Sequence, residues 1–339
     1  MATTMLPDRA ALPDVLPSER LTRSAMPVPA VRAELRQIAT ARNALTVAVL
    51  WAELVALAVV VVWSTHRVGP AAPLVWLAAV VLLGSFHARF AILGHEAAHR
   101  LLFPSKRVND VVGKWLLAYP GFVAFEGYRR VHFAHHKDEF GPNEPDLNLY
   151  NGYPITKASF WRKLRRDAIG VSGWKNLKGL LGALRSESAR PIALRIVAAQ
   201  AAMLLVATAA GYPALYLLWF GSWMTSWRVL NRLRSIAEHG GMTRSDDRRL
   251  TTHHVRQTLP ARFWIVPYNT GWHLAHHVDM GVPWRNLPRL HAELVAAGWV
   301  TAGLEYPTYR ALWQRLRSRD EATAGGGAGA GARAGAAAA

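Results

Sequence analysis

The chain has 339 residues, 51% of them hydrophobic, and its 40 Lys and Arg against 22 Asp and Glu give a net charge of +18. That apolar share is high for a soluble protein and turns attention to the bilayer. No cysteine is present, which excludes disulfides, thiolate-bound zinc or haem and iron–sulfur clusters, and leaves histidine and carboxylate as the strong metal ligands.

The opening stretch, MATTMLPDRAALPDVLPSER, lacks the basic start, apolar core and small-residue cleavage site of a secretory signal. It reads as a poorly ordered leader over residues 1–28. Residues 29–42, PAVRAELRQIATAR, carry the pattern of an amphipathic helix lying on the membrane surface.

Residues 44–63 and 71–92 each supply the roughly 20 apolar residues that a helix needs to cross a bilayer. A short turn around Gly69 and Pro70 joins them. Residues 191–210 and 213–230 form a second such pair, broken by Gly211, Tyr212 and Pro213. The expected fold is an all-α integral membrane protein with four transmembrane helices in two hairpins, the membrane domain running over 43–310. Glu53 lies in the first span, where a carboxylate is a functional candidate by default, against the plainer reading of a side chain turned in on a neighbouring helix.

If both hairpins start from one side, the segments 93–190 and 231–339 share that side with the N-terminus. Nearly all Lys and Arg then fall there, including KLRR at 163–166, while the opposite turns hold only Arg67. The positive-inside rule makes that side the cytoplasm and assigns the excess charge to anionic lipid, not nucleic acid. The apolar run 111–125 contains Lys114 and Pro120 and is too short to span; it reads as interfacial or re-entrant. The Gly- and Ala-rich tail, 322–339, has too little to bury and is expected to be disordered.

Histidine carries the chemistry. GHEAAHR at 94–100 holds His95 and His99, RRVHFAHHK holds His132, His135 and His136, and GWHLAHHVD holds His273, His276 and His277. On a helix, positions i, i+3 and i+4 project from one side, so each box aims its imidazoles together. His239, just past the fourth span, joins them on the cytoplasmic face. His95-Glu96-x-x-His99 also matches the helical zinc signature of metalloproteases, but that reading leaves six patterned histidines without a task. Nine imidazoles exceed the coordination of one zinc and suit two six-coordinate ions, iron or another first-row metal. Glu96, Glu238, Asp138, Asp146 and Asp279 are candidate partners for the outer imidazole nitrogens. His66, His87, His253, His254 and His291 lack the paired spacing and are given no role.

Over about residues 40–300 the chain resembles the membrane fatty acid desaturase and hydroxylase family. GHEAAH at 94–99, HFAHH at 132–136 and HLAHH at 273–277 carry the resemblance, with the hairpins placed between boxes as in that family. It implies a cytoplasmic helical cap holding a di-iron site ligated by His95, His99, His132, His135, His136, His239, His273, His276 and His277, with dioxygen as co-substrate. It also implies a lipid or acyl-chain substrate that gains a double bond, a hydroxylase or ketolase being the alternative outcome. Some members have an asparagine one turn before the histidine that follows the fourth span; this chain has Ser235 there. No His-Pro-Gly-Gly haem motif occurs, so electrons are expected from a separate ferredoxin, rubredoxin or cytochrome b5 type donor. Arg129 and Arg130 are candidates for a substrate headgroup or are ordinary positive-inside charges. Trp115, Trp223, Trp227 and Trp272 are candidates for a substrate tunnel or for an interfacial belt.

Overall fold

Alanine, leucine and valine dominate residues 40–98, and in the computed structural model, which describes residues 5–320, they form two long helices folded back on each other. These are α2 (Thr40–Val68) and α3 (Ala72–Ala98), preceded by a short α1 (Pro29–Leu35). Gly69 makes the turn at a φ of +52°, a conformation that favours glycine. At about 1.5 Å per residue each long helix runs roughly 40 Å, more than the ~30 Å hydrocarbon core. Leu45, Val55, Val59, Leu74 and Leu77 stay exposed on their outer faces, as a lipid-facing surface requires.

Among the described residues, two stretches are long and apolar enough to cross a membrane: Pro29–Ala98, whose most apolar 18-residue window has mean hydropathy 2.6, and Arg190–Ala209, whose window has 1.9. The second is α9 (Arg190–Ala209). The expected fourth span is not one helix. It divides at Thr225 (φ −125°, ψ −86°) into α10 (Ala214–Met224) and α11 (Ser226–His239). Local polar bonds support the break: Thr225 Oγ1 donates to the Gly221 carbonyl and Ser226 Oγ to the Val80 carbonyl, both at 2.6 Å. α10 alone is about 17 Å long, short of the bilayer core.

Between the hairpin and α9 lie α4 (Lys106–Val112), a π-helical turn at Gly113–Ala118, α5 (Phe125–Lys137), α6 (Leu147–Tyr150), α7 (Lys157–Ala168) and α8 (Val171–Ala183). The run expected to be interfacial or re-entrant is this helix and π turn. Leu117, Ala118 and Tyr119 are buried against α3, while Val111, Trp115 and Leu116 remain exposed. After α11 come α12 (Leu259–Trp264), α13 (His273–Val278), α14 (Leu287–Ala296) and α15 (Tyr309–Leu316), with β1 (His254–Val255) paired in parallel to β2 (Glu305–Tyr306).

Two expectations need correction. Residues 5–28 do not behave as a loose leader: Met5 packs with Ile236, Leu312 and Leu316, and Leu21 is fully buried beside Leu35, Leu274 and Leu290. The helix expected over 29–42 ends at Leu35, and its apolar residues Val31 and Leu35 pack on α13 and α14, not on a membrane. The cap supplied a hydrophobic surface that the sequence pattern alone assigned to lipid. The tail 322–339 lies outside the described residues.

Candidate metal centre

The cluster forms where four helices end. α3 delivers His95 one turn before its end and His99 as its C-cap; α5 presents His132, His135 and His136; α11 closes on His239; α13 opens on His273 and carries His276 and His277. All nine predicted histidines come together. Ring nitrogens of His95, His99, His132, His136 and His276 lie within 4.8 Å of one another, and so do those of His135, His239 and His277. His273 completes the second locus, its Nε2 lying 3.1 Å from that of His239 and 3.0 Å from that of His277.

Donor spacing tests whether metal fits. Nε2–Nε2 distances are 2.8 Å for His99 and His132, and 3.1 Å for both His132–His136 and His136–His276. With a metal–nitrogen bond of about 2.1 Å, an octahedron has an edge of about 3.0 Å and a tetrahedron one of about 3.4 Å. The spacing matches octahedral coordination better than the tetrahedral habit of zinc.

Three of the outer ring nitrogens are also committed, whereas Nδ1 of His95 and of His276 is buried without a hydrogen-bond partner among the described residues. Nδ1 of His277 donates to Glu139 Oε1 at 2.5 Å, Nδ1 of His135 to Glu144 Oε1, and Nδ1 of His239 to the Thr251 carbonyl at 2.9 Å. A proton on Nδ1 leaves the Nε2 lone pair facing the cluster. Lone pairs converging in a buried space repel unless a cation lies among them. Burial, reinforced by neighbouring imidazoles, holds His132, His136, His276 and His277 well below the ordinary histidine range, so they are neutral, the form in which an imidazole can ligate a metal. Burial would raise the Glu144 carboxyl, but hydrogen bonds led by His135 bring it below the usual value.

Of the carboxylates read from sequence, Glu96 lies 3.3 Å from His95 Nδ1 and accepts from the Trp284 amide at 3.1 Å, and Glu238 lies 3.7 Å from His273 Nδ1. Asp138 pairs instead with Arg244 at 2.9 Å and Asp279 with Arg36 at 2.6 Å; Asp146 lines the space among the histidines. The sequence reading missed Glu139, Glu144 and Thr251. The first two stand in DEFGPNE, directly after the second box, where turn residues fold the chain back beneath it.

The remaining histidines sit apart. His87 Nε2 bonds the Trp219 carbonyl at 3.2 Å, and His253 Nε2 donates to the Gly240 carbonyl at 2.7 Å, bracing the end of α11. His254 lies beside His291, the two rings tilted with centres 4.6 Å apart. Glu53 pairs with Arg89 at 2.7 Å. Arg129 donates to the Ala97 and Ala98 carbonyls and to Asp110, capping α3. Ser235 Oγ turns back to the Asn231 carbonyl at 2.8 Å.

A cavity of about 620 Å³ adjoins the cluster, lined by Phe90, Phe122, Trp223 and Trp227 among others, and by Arg130. Trp115 is exposed on the outer face. The cavity shares Tyr128, Asn231 and Arg234 with a smaller space of about 260 Å³ among the histidines.

Apolar helices leading into a buried, carboxylate-braced histidine cluster define a class of helical protein whose side chains could hold metal. Residues 71–310 match the fatty acid desaturase family, and the chain belongs to it. It is 26% identical over 227 residues to the dihydrorhizobitoxine desaturase of Bradyrhizobium elkanii, an alignment covering 60% of this chain and 63% of that protein. The chain thus spans less than two thirds of that relative's length. Family membership displaces the protease reading of His95-Glu96-x-x-His99. The family and the two apolar stretches are consistent with a membrane protein.

Proposed function

We propose that the protein is an oxygen-dependent membrane desaturase that inserts a double bond into a fatty acyl chain at a pair of iron ions. The observation that carries this reading is the 2.8–3.1 Å spacing of inward-facing Nε2 atoms, split into a five-histidine and a four-histidine locus. His95, His99, His132, His136 and His276 would hold one ion, and His135, His239, His273 and His277 the other. Two bound irons supply reduction of dioxygen to water coupled to removal of two hydrogens from the chain.

The protein's own residues do the rest. Glu139, Glu144 and the Thr251 carbonyl hold the imidazoles of His277, His135 and His239 in one tautomer. Phe90, Phe122, Trp223 and Trp227 give the substrate cavity apolar walls. Tyr128 and Asn231, shared by the two spaces, lie where a chain would pass toward the histidines. Electrons come from a separate ferredoxin, rubredoxin or cytochrome b5 type donor. The cap and both termini face the cytoplasm, a reading supported by the Lys and Arg of α7 and α8, and four membrane crossings are retained if α10 enters the bilayer together with the start of α11.

Metal analysis of the detergent-purified protein and a lipid profile of expressing cells test this. Two irons per chain and new unsaturated acyl chains are expected, both lost in His136→Ala. Zinc in place of iron with unchanged lipids would refute the reading; iron with hydroxylated lipid would keep the metal and move the reaction to oxygen insertion.

A further inference from the structure

Resting on the desaturase reading, we propose that the 620 Å³ cavity takes its substrate by an anionic group, a carboxylate or a phosphate, held by Arg228 with Arg130. The cavity is bounded by α3, α5, α8, α9 and α11 and is mostly apolar, yet both arginines line it together with Asn176 and Asn231. Arg228 Nε donates to the Trp223 carbonyl at 2.8 Å and its guanidinium lies 4.7 Å over the Trp223 ring. Those contacts position the fork without neutralising it.

Pairing elsewhere makes the contrast. Arg36, Arg89, Arg129, Arg232, Arg234 and Arg248 each meet a carboxylate. Among the described residues no carboxylate lies within 4.0 Å of Arg228 or Arg130. Trp223 and Trp227, which flank Arg228 in the cavity wall, are 3% and 7% exposed, so its surroundings are drier than a headgroup surface. Asp167, paired to Arg232, acts on Arg228 only at a distance; a guanidinium held beside apolar walls without a carboxylate in contact is costly, and its planar fork fits carboxylate or phosphate. Position fits as well. Arg228 precedes His239 on α11 by three turns, about 16 Å, and the shared residues Tyr128, Asn231 and Arg234 connect the two spaces. An anion at Arg228 leaves an extended apolar chain directed to the histidines.

Equilibrium binding of radiolabelled palmitate and methyl palmitate to the iron-loaded protein in uncharged detergent tests this, with retention of phosphatidylglycerol from nanodiscs measured in parallel. Wild type should bind palmitate at least tenfold more tightly than the ester. Arg228→Gln should erase that preference, Arg130→Gln should reduce it, and Arg228→Lys should keep part of it. Should palmitate and ester bind alike while Arg228→Gln releases phosphatidylglycerol, the anion is a lipid phosphate and the site stands with that source. Equal binding of acid and ester by wild type, with phosphatidylglycerol retention unchanged in Arg228→Gln, overturns the proposal. The wild-type comparison decides even if a variant fails to fold. Binding needs no turnover, so charge-selective binding without a new double bond would retire the desaturase reading and leave the anion site intact, whereas a new double bond with charge-blind binding would do the reverse.

Discussion

Replacing Glu139 by glutamine removes a charge while keeping the shape of the side chain. Its Oε1 accepts from His277 Nδ1 at 2.5 Å and lies 2.7 Å from Arg248 Nη1. Arg248 is 30% exposed along its side chain and can turn to water; Glu139, at 1%, and His277, at 0%, cannot. The loss therefore falls on the imidazole, whose charge-assisted bond becomes a neutral one of about half the strength. Carboxylates in this position typically contribute tenfold to a hundredfold in metal affinity, about 1.4–2.7 kcal/mol. Only the locus of His135, His239, His273 and His277 should weaken. Titrating the iron-loaded protein with a competing chelator should release one iron from Glu139→Gln at tenfold to hundredfold lower chelator than from wild type, the other at an unchanged midpoint. Two irons leaving at wild-type concentrations would show that Glu139 does not brace the site, and both leaving early would refute the division into two loci.

Other outcomes follow from single contacts. Gly173→Ala would set a methyl group 2.3 Å from the Met224 backbone at the α10–α11 break, whereas Gly182 has nothing within 4 Å; the first should lose thermal stability in detergent and the second hold or gain it. Arg129→Ala removes the cap on α3 and the Asp110 ion pair, and should lower the melting temperature by several degrees, about 2 kcal/mol of stability, an expectation that an unchanged melt would defeat. Burial lowers His253 and His291 from 6.5 to about 4, so between those values the unfolded chain binds more protons and stability falls as pH drops from 6.5 toward 4. Acid unfolding of the metal-free protein should follow that direction, and His253→Gln should make the slope shallower.

The histidines were legible because their spacing is local: three short motifs on helical turns suffice to aim imidazoles. How they divide was not legible. In H-x-x-H-H the first and last histidines, a full turn apart, go to one locus and the middle one to the other: His132 and His136 against His135, and His273 and His277 against His276. Each of these two boxes thus serves both loci, in opposite proportion, which only the mutual packing of α5 and α13 decides, whereas His95 and His99 serve one locus alone. Glu139, Glu144 and Thr251 were missed because loops, which have no period to read, carry them. The apolar leader and α1 were assigned to solvent and lipid because the surface that buries them belongs to α13, α14 and α15, far along the chain. The break at Thr225 is invisible to hydropathy, since it is made by hydroxyl groups bonding to nearby carbonyls inside an apolar run.

That reciprocal sharing sets which lengths of chain are rigid and which are elastic. A residue inserted inside a box would turn the following imidazole by about 100° and misdirect it. His136 and His276, whose Nε2 atoms touch at 3.1 Å, are separated by 140 residues, and closing a loop of that size becomes only about 0.6 kcal/mol harder if its length doubles. Segments between the boxes can therefore lengthen, shorten or acquire new surfaces at little thermodynamic penalty, so the same histidine knot can be fitted with differently shaped cavities.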